Sequence, residues 1–423
     1  MTMIIAAIII LIMCYGLIKK YETRMVLIAG GLALACLAGD PMAALKSFSA
    51  SMKQAEVFEV IVACMGFASV VKLTGCHNHL IAVFVGLLKR AGPFLILGAA
   101  LATMVVNSAI PSAAGTSAAV GTILIPLLIA AKVPAPIAAA TIMAGLYGGN
   151  LNPGHVHPTI VAELAHRPSI EFVTMVATPL VGSVVCASLV LIALAYYMRK
   201  KGIGMNTELD EGAGTLPESF KVNYFFAVIP LLPLIILLLG NMGAVPALKM
   251  PVSHAMIIGA VVAMIATRTN PQNITKSFFK GMGDSFGAIF GIIIAANIFV
   301  AGMKSCGIIS ELIDLMTTSP SIAKAASITG PFGIAILSGS GEAASIAFNN
   351  AVTAHAQQFG LDIMNMGAMT VLSGGIGRSI SPVAGAMIIC AGLAKVNPIT
   401  VTRWIALPML VALGFVTLML YIL

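Results

Sequence analysis

Residues 148–158 have the sequence Gly-Gly-Asn-Leu-Asn-Pro-Gly-His-Val-His-Pro and lie between two apolar runs. A second segment of this kind, Gly-Gly-Ile-Gly-Arg-Ser-Ile-Ser-Pro, occupies residues 374–382. Glycine and proline disfavour helix, and unpaired polar groups are costly in hydrocarbon. Non-helical polar backbone is tolerated at membrane depth only where it lines a protein-buried or water-filled cavity. We therefore predict that both segments are non-helical interruptions of membrane helices and form the walls of a solute site.

The composition around these segments is that of a membrane protein. Of the 423 residues, 59% are hydrophobic and 9% are charged, and the mean hydropathy is +1.03. Apolar runs recur at lengths that suit a bilayer, which about 20 helical residues cross. The formal charge of +8 could indicate nucleic-acid binding, but the basic residues lie in short loops, where they orient the spans. We expect an all-α polytopic membrane protein whose surroundings are lipid and which binds no nucleic acid.

The first half predicts a re-entrant hairpin followed by the first interruption. Three spans and an interfacial segment come before it, at residues 2–18, 25–39, 57–75 and 77–90, with a polar connector at 40–56. The apolar arms 93–106 and 112–131 flank a polar tip at 107–111. The first arm is only about 21 Å long as a helix, too short for a comfortable crossing. A hairpin therefore fits better than two spans, and a long final span follows at 170–198.

The same order of elements returns after a hydrophilic segment at residues 202–221, which we interpret as a cytoplasmic linker. One block matches Pro41, Lys46, Ser47, Phe48, Met52 and Cys76 to Pro271, Lys276, Ser277, Phe278, Met282 and Cys306 at an offset of 230. A second block matches Pro153, Leu164, Ala177 and Pro179 to Pro382, Leu393, Ala406 and Pro408 at an offset of 229. These matches predict two repeats, residues 1–201 and 222–423.

The count of crossings predicts that the second repeat is inverted. Each repeat should make five net crossings, from three spans, one interrupted span and one final span, because its hairpin returns to its own side. The loop with Lys19, Lys20 and Arg24 is predicted to be cytoplasmic, which places both termini outside. Inverted repeats with paired discontinuous helices near the bilayer midplane are typical of secondary transporters.

Arg378 is the strongest candidate for binding a substrate. A buried guanidinium needs a partner, and its planar fork matches a carboxylate in two parallel hydrogen bonds. The alternative is a structural tie to backbone carbonyls that the interruption frees. Polar groups of the tips and interruptions are further candidates, either as substrate ligands or as caps of the half-helices. The predicted substrate-binding residues are Asn107, Ser108, Asn150, Asn152, His155, Ser338, Ser340, Arg378, Ser379 and Ser381.

Glu342, at the second hairpin tip, is the best-placed acid for a coupling proton or cation. The alternative is a carboxylate that stabilises a helix N-terminus. His157 and Asn349 are the other coupling candidates. His155 and His157 are two residues apart, a spacing that does not place them on one helical face and argues against a zinc pair. They could bind a proton or simply pack through hydrogen bonds.

No catalytic or cofactor signature is present in the sequence. HExxH and GxxxxGK[ST] are absent, and the match to GxSxG at residues 283–287 lies at the start of an apolar span rather than between a strand and a helix. The seven cysteines are scattered singly through apolar segments without a CxxC pair, which indicates packing residues rather than a metal site. We therefore expect no enzyme activity, no bound metal, and no cofactor beyond Na⁺ or H⁺ as the coupling ion.

The glycine-rich segment 374–386, the following Ile-Ile-Cys-Ala-Gly-Leu-Ala-Lys at 388–395 and Ser-Gly-Ser-Gly at 338–341 resemble the DcuC-type anaerobic C4-dicarboxylate carriers. The resemblance implies transport of fumarate, succinate or malate across a bacterial inner membrane, coupled to protons or sodium. It also implies a homodimer with an elevator mechanism, in which residues 92–167 and 322–395 form the mobile part.

The sequence leaves several other functions open. Within transport they are a carrier of another organic anion, such as gluconate or citrate, and a cation/proton antiporter. Outside it they are a membrane-embedded hydrolase and a channel. The missing catalytic motifs argue against the hydrolase, and the paired interruptions argue against a simple pore.

Overall fold

The computed structural model describes residues 2–19, 21–53, 55–88, 92–204, 220–241 and 245–423. This part of the chain is helical and contains no strand. Most of the predicted linker, residues 205–219, lies outside the described residues. The helices of the first half are α1 (Thr2–Ile18), α2 (Thr23–Leu37), α3 (Pro41–Ser51), α4 (Ala55–Leu73), α5 (Cys76–Leu88), α6 (Leu95–Ala109), α7 (Ala113–Ala130), α8 (Ala135–Gly145), α9 (Val156–Ala165) and α10 (Ser169–Lys201).

The second half of the described chain contains eleven α-helices. Its helices are α11 (Tyr224–Val228), α12 (Leu232–Asn241), α13 (Val252–Thr267), α14 (Pro271–Ser285), α15 (Gly291–Ser305), α16 (Ile308–Thr318), α17 (Pro320–Ser338), α18 (Gly341–Ala351), α19 (Ile363–Ile380), α20 (Gly385–Leu393) and α21 (Pro398–Tyr421). A π-helical turn, Phe286–Phe290, joins α14 to α15. The predicted hairpins correspond to α6–α7 and α17–α18.

Length and apolarity are consistent with a multi-pass membrane protein. Among the described residues, α7, α10, α17 and α21 are long and apolar enough to cross a membrane. The number rises to seven if each sharply bent pair counts as one span: α4 with α5 at 72°, α15 with α16 at 80°, and α19 with α20 at 41°. The bends after α4 and α15 place the predicted interfacial segments at an angle to the preceding spans.

The polar connector predicted at residues 40–56 is in fact largely a helix, α3, and its counterpart is α14. Asp40 accepts a hydrogen bond from the amide of Ala43 at 3.2 Å, and proline occupies the first turn. Asn270 caps α14 in the same way, through the amide of Gln272 at 2.8 Å. A side-chain cap followed by proline is a helix start signal, which outweighs the polar composition of the segment.

The two interruptions differ in extent. The first is non-helical as predicted: α8 ends at Gly145, a 3-10 turn covers Gly148–Leu151, and α9 begins at Val156. The second prediction was too broad, because α19 continues as helix to Ile380 and only residues 381–384 break it. Glycine is retained inside this helix for close packing, since a Cβ on Gly377 would lie 2.4 Å from the Phe332 carbonyl oxygen.

Each hairpin packs on the interrupted span of its own half and on the second half-helix of the other. The arms α6 and α7 contact α8, and α17 and α18 contact α19. Across the halves, α7 contacts α20 and α18 contacts α9. The largest buried apolar cluster joins α6, α7 and α8 to α10, α19, α20 and α21. The tips and interruptions are thereby held together in the interior of the molecule.

Candidate functional site

A small polar cavity lies where the two hairpin tips meet the two interruptions. Its volume is about 20 Å³. Six of the residues predicted from the sequence line it: Asn107, Asn150, His155, His157, Glu342 and Arg378. They come from α6, the first interruption, the start of α9, the start of α18 and the end of α19. The fold therefore gathers residues that are far apart in the sequence.

Helix N-termini reach this cavity from both hairpins. The first residues of α7 and α18, Ala113 and Gly341, line it. Ser112 caps α7 by accepting from the amide of Gly115 at 3.2 Å, and Ser340 caps α18 by accepting from the amide of Ala343 at 3.1 Å. Each cap satisfies only one of the free amides of a first turn. The remaining amides and the helix dipoles favour an anion here.

Arg378 combines the two roles that the sequence left open. One guanidinium nitrogen, Nη2, donates to the carbonyl oxygen of Leu146 at 2.8 Å. Leu146 follows α8 directly, so this bond satisfies a carbonyl at the start of the first interruption. The Nε–H of Arg378 is buried and has no partner. The side chain thus links the end of α19 to the first interruption and retains one N–H donor that is available to a ligand.

Glu342 supplies the opposite charge. It lies in the first turn of α18 and lines the same cavity as Arg378. No ion pair of 4 Å or less joins these two described residues. Among the described lining residues they are the only Asp, Glu, Lys or Arg side chains. The fixed formal charge of the cavity is therefore zero when Glu342 is ionised and +1 when it is protonated.

The rings of His155 and His157 lie next to each other in the cavity wall, with centroids 5.1 Å apart. The spacing of two residues on one helix does not apply to this pair, because His155 is the extended N-cap residue of α9, with φ −73° and ψ 152°. The extended cap brings the two rings together. Nδ1 of each histidine is buried without a hydrogen-bond partner. Both rings therefore have a free donor or acceptor, depending on the tautomer.

Asn150 adds a further unpaired group. Its Nδ2 donates to the Tyr147 carbonyl at 3.0 Å, while its Oδ1 is buried without a partner. Across the described residues, six buried side-chain polar atoms lack a partner, and four of them belong to residues of this cavity. Buried polar groups in native proteins are nearly always paired. Their concentration in one place indicates a site that a polar ligand completes.

The other predicted site residues do not line the cavity and bond to protein groups nearby. Ser108 donates to Val105 at 2.7 Å and Ser338 to Ile334 at 2.8 Å, within their own helices. Asn152 donates to the Ser108 carbonyl at 2.8 Å. Ser379 Oγ donates to the carbonyls of Met143 and Gly375. Ser340 and Ser381 accept from the backbone amides of Ala343 and Val383, respectively. Asn349 Oδ1 accepts from the Thr353 hydroxyl. These contacts hold the tips and interruptions in place.

Sequence reasoning missed Tyr147, which also lines the cavity. Its hydroxyl lies 3.1 Å from Ser183 Oγ on α10. The one available signal was its position directly before the first glycine pair. Asn107 also has a role that its residue type did not predict: its Oδ1 accepts from the amide of Gly149 at 2.7 Å and so fixes the first tip to the first interruption.

Comparison with known proteins places this chain among transporters. The family model for DcuC, the C4-dicarboxylate anaerobic carrier, matches residues 1–423. A putative uncharacterized transporter of Haemophilus influenzae is 37% identical over 278 residues, which are 63% of this chain and 99% of that protein. The probable anaerobic C4-dicarboxylate transporter DcuC of Vibrio cholerae is 26% identical over 438 residues, 95% of this chain and 93% of that protein.

A solved structure shares the fold. The crystal structure of the YdaH transporter of Alcanivorax borkumensis superposes with a TM-score of 0.62 at 15% sequence identity. The match covers 89% of this chain and 86% of the other. At this identity the likeness concerns the fold alone.

Proposed function

Because the chain belongs to the DcuC family of C4-dicarboxylate anaerobic carriers, we propose that it is a secondary transporter of fumarate, succinate, malate or a similar dianion across a bacterial inner membrane. The family and the named relatives are transporters, so the chain is a membrane transporter and not an enzyme.

One observation carries the choice of an anionic substrate: the cavity collects unpaired polar atoms, the buried Nε–H of Arg378 among them, beside two helix N-termini. Carboxylate oxygens are acceptors, and Arg378 Nε–H, the free amides of α7 and α18 and a histidine N–H are donors. In the proposed complex one carboxylate binds Arg378 and the other binds the histidine side of the cavity. Asn150 Oδ1, an acceptor, would suit the hydroxyl group of malate.

Substrate binding must be accompanied by movement of the hairpin tips. A cavity of about 20 Å³ has room for about one water molecule and is too small for a four-carbon dicarboxylate. Gly148 packs closely on α6, because an added Cβ would lie 2.3 Å from the Met104 carbonyl oxygen, so the first hairpin and the first interruption should move as one unit. We propose an elevator-type motion of residues 92–167 and 322–395 against the rest of a homodimer.

The packing supports the proposal of two inverted repeats. Offsets of 229 or 230 relate α2 to α13 and α4 to α15, and α2 packs on α15 just as α13 packs on α4. Likewise α3 packs on α15 and α14 on α4. Such exchanged pairs are what a two-fold relation between the halves produces.

Charge supports coupling to a proton at Glu342. A dianion placed in a cavity that holds Arg378 and ionised Glu342 brings three negative charges to one positive charge. Protonation of Glu342 removes one of them, so substrate and proton favour each other's binding. We propose proton symport on this basis. Sodium near the same carboxylate is the alternative coupling ion.

Uptake of labelled succinate into proteoliposomes tests the proposed function. We expect uptake that fumarate and malate inhibit and gluconate does not. Stronger inhibition by gluconate or citrate would assign the protein to another class of organic anion. No uptake of any anion, together with cation-driven proton movement, would assign it to cation/proton antiport.

We also predict that both termini face the outside and that the segment 202–221 is cytoplasmic. Single cysteines at positions 2, 212 and 423, each in an otherwise cysteine-free chain, should show this with an impermeant thiol reagent in intact cells. Positions 2 and 423 should be labelled, and position 212 only after the membrane is permeabilised. Labelling of position 212 from outside would contradict the topology.

A further inference from the structure

An open groove of about 650 Å³ lies away from the substrate cavity, at the end of the first hairpin that is distant from its tip. It is lined by the end of α5, the start of α6 and the end of α7, through Leu88, Leu95, Leu127 and Ala130. Arg199, in the last turn of α10, is the only charged residue among its described lining. The groove is therefore amphipathic, with apolar walls and a guanidinium at one side.

Positive charge is concentrated around this groove without nearby compensation. Lys200 and Lys201 follow Arg199, and exposed Lys132 follows α7. The helices α5, α6 and α7 contain no acidic residue, and the only one in α10 is Glu171, in its first turn. At 1.5 Å per residue Glu171 is roughly 40 Å from Arg199. Among the described helices that line the groove, no carboxylate is placed to neutralise the arginine.

The residues at the end of α10 indicate the depth of the groove in the membrane. Tyr196 and Tyr197, one turn before the basic end of α10, are 73% and 50% exposed. Tyrosines at this position are typical of the membrane–water interface, and a basic helix end is typical of the cytoplasmic side. The mouth of the groove therefore coincides with the headgroup layer of the inner leaflet.

We infer that the groove binds an anionic phospholipid, with an acyl chain along Leu88, Leu95 and Leu127 and the headgroup phosphate against Arg199. Basic pockets between membrane helices at the cytoplasmic side favour anionic headgroups, and arginine forms bidentate bonds to phosphate. A free phosphate or dicarboxylate would leave the apolar walls unused. A zwitterionic phospholipid has the acyl chain but no net charge for the basic surroundings.

Native mass spectrometry of the detergent-purified protein tests this inference without any transport assay. Dilauroyl phosphatidylglycerol and dilauroyl phosphatidylcholine are added separately, and the fraction of protein that retains each lipid is measured. We expect phosphatidylglycerol to bind more tightly than phosphatidylcholine. Arg199→Gln should weaken phosphatidylglycerol binding about fivefold and phosphatidylcholine binding by a smaller factor, because the choline cation already neutralises the phosphate. Ala130→Phe, which fills the groove and keeps the arginine, should weaken binding of both.

Lys276→Gln is the matched control, because Lys276 is an exposed cation on α14, which does not line the groove. It removes the same charge and should leave phosphatidylglycerol binding at the level of the parent. Melting temperatures close to that of the parent show that the variants are folded. Equal binding of the two lipids by the parent, or an equal loss in Arg199→Gln and Lys276→Gln, would overturn the inference. Displacement of the lipid by glycerol phosphate alone would show a headgroup site without a groove, and would also overturn it.

Discussion

Arg378→Ala should be nearly inactive in succinate uptake, and Arg378→Lys should transport with an apparent affinity about tenfold to a hundredfold weaker than the parent. A hydrogen bond to a charged group contributes about 1.5–3 kcal/mol, and lysine is a point donor that cannot form two parallel bonds to a carboxylate. In the structure Arg378 donates to the Leu146 carbonyl and retains a buried, unpaired Nε–H. Lysine could replace the first contact but not the second.

The succinate affinity of these variants distinguishes an Arg378 that binds substrate from an Arg378 that only stabilises the fold through Leu146. If Arg378 only held Leu146, the alanine variant would lose thermal stability, and whatever remained folded would bind succinate normally. Arg167→Lys is a suitable control, because Arg167 is exposed at the end of α9. Purified Arg378→Lys with the melting temperature and the succinate affinity of the parent would exclude the carboxylate contact.

Much of the architecture was accessible from the sequence because its signals are local. The short arm before Asn107 predicted the first hairpin, and glycine, proline and polar residues within apolar runs marked the interruptions. The extent of the second interruption was not accessible. Whether a glycine breaks a helix or lets another segment approach it depends on the partner, and the partner of Gly377 is Phe332, on a different helix.

The site shows the same division between local and long-range information. Residue type selected as candidates the six polar residues that the fold brings together in the cavity. It could not separate them from serines such as Ser338 and Ser379, which bond to carbonyls four residues earlier in their own helices. The spacing of His155 and His157 misled because the first of them is an extended cap residue rather than part of the helix.

Glu342→Gln should abolish the pH dependence of transport while substrate binding persists. Glutamine resembles the protonated carboxyl group, so the variant should bind a dianion at neutral pH at least as well as the parent does. If the parent must take up one proton with each substrate, its apparent affinity should improve by up to about tenfold for each unit of decreasing pH while Glu342 is ionised. In the variant this slope should be zero. Fumarate is the suitable substrate, because ordinary carboxyl groups titrate near about pH 4 and fumarate stays a dianion between pH 6 and pH 8.

Measurements of accumulation and of exchange distinguish a loss of proton coupling from a general loss of transport. Accumulation of fumarate against its gradient, driven by an imposed proton gradient, should be lost in Glu342→Gln, whereas exchange of internal for external fumarate should continue because it needs no net proton movement. Glu163→Gln, at the end of α9 outside the cavity, should retain both modes. If Glu342→Gln still accumulates fumarate with the pH dependence of the parent, Glu342 serves only the N-terminus of α18. The proton must then bind elsewhere, and the histidine pair is the next candidate among the described residues of the cavity.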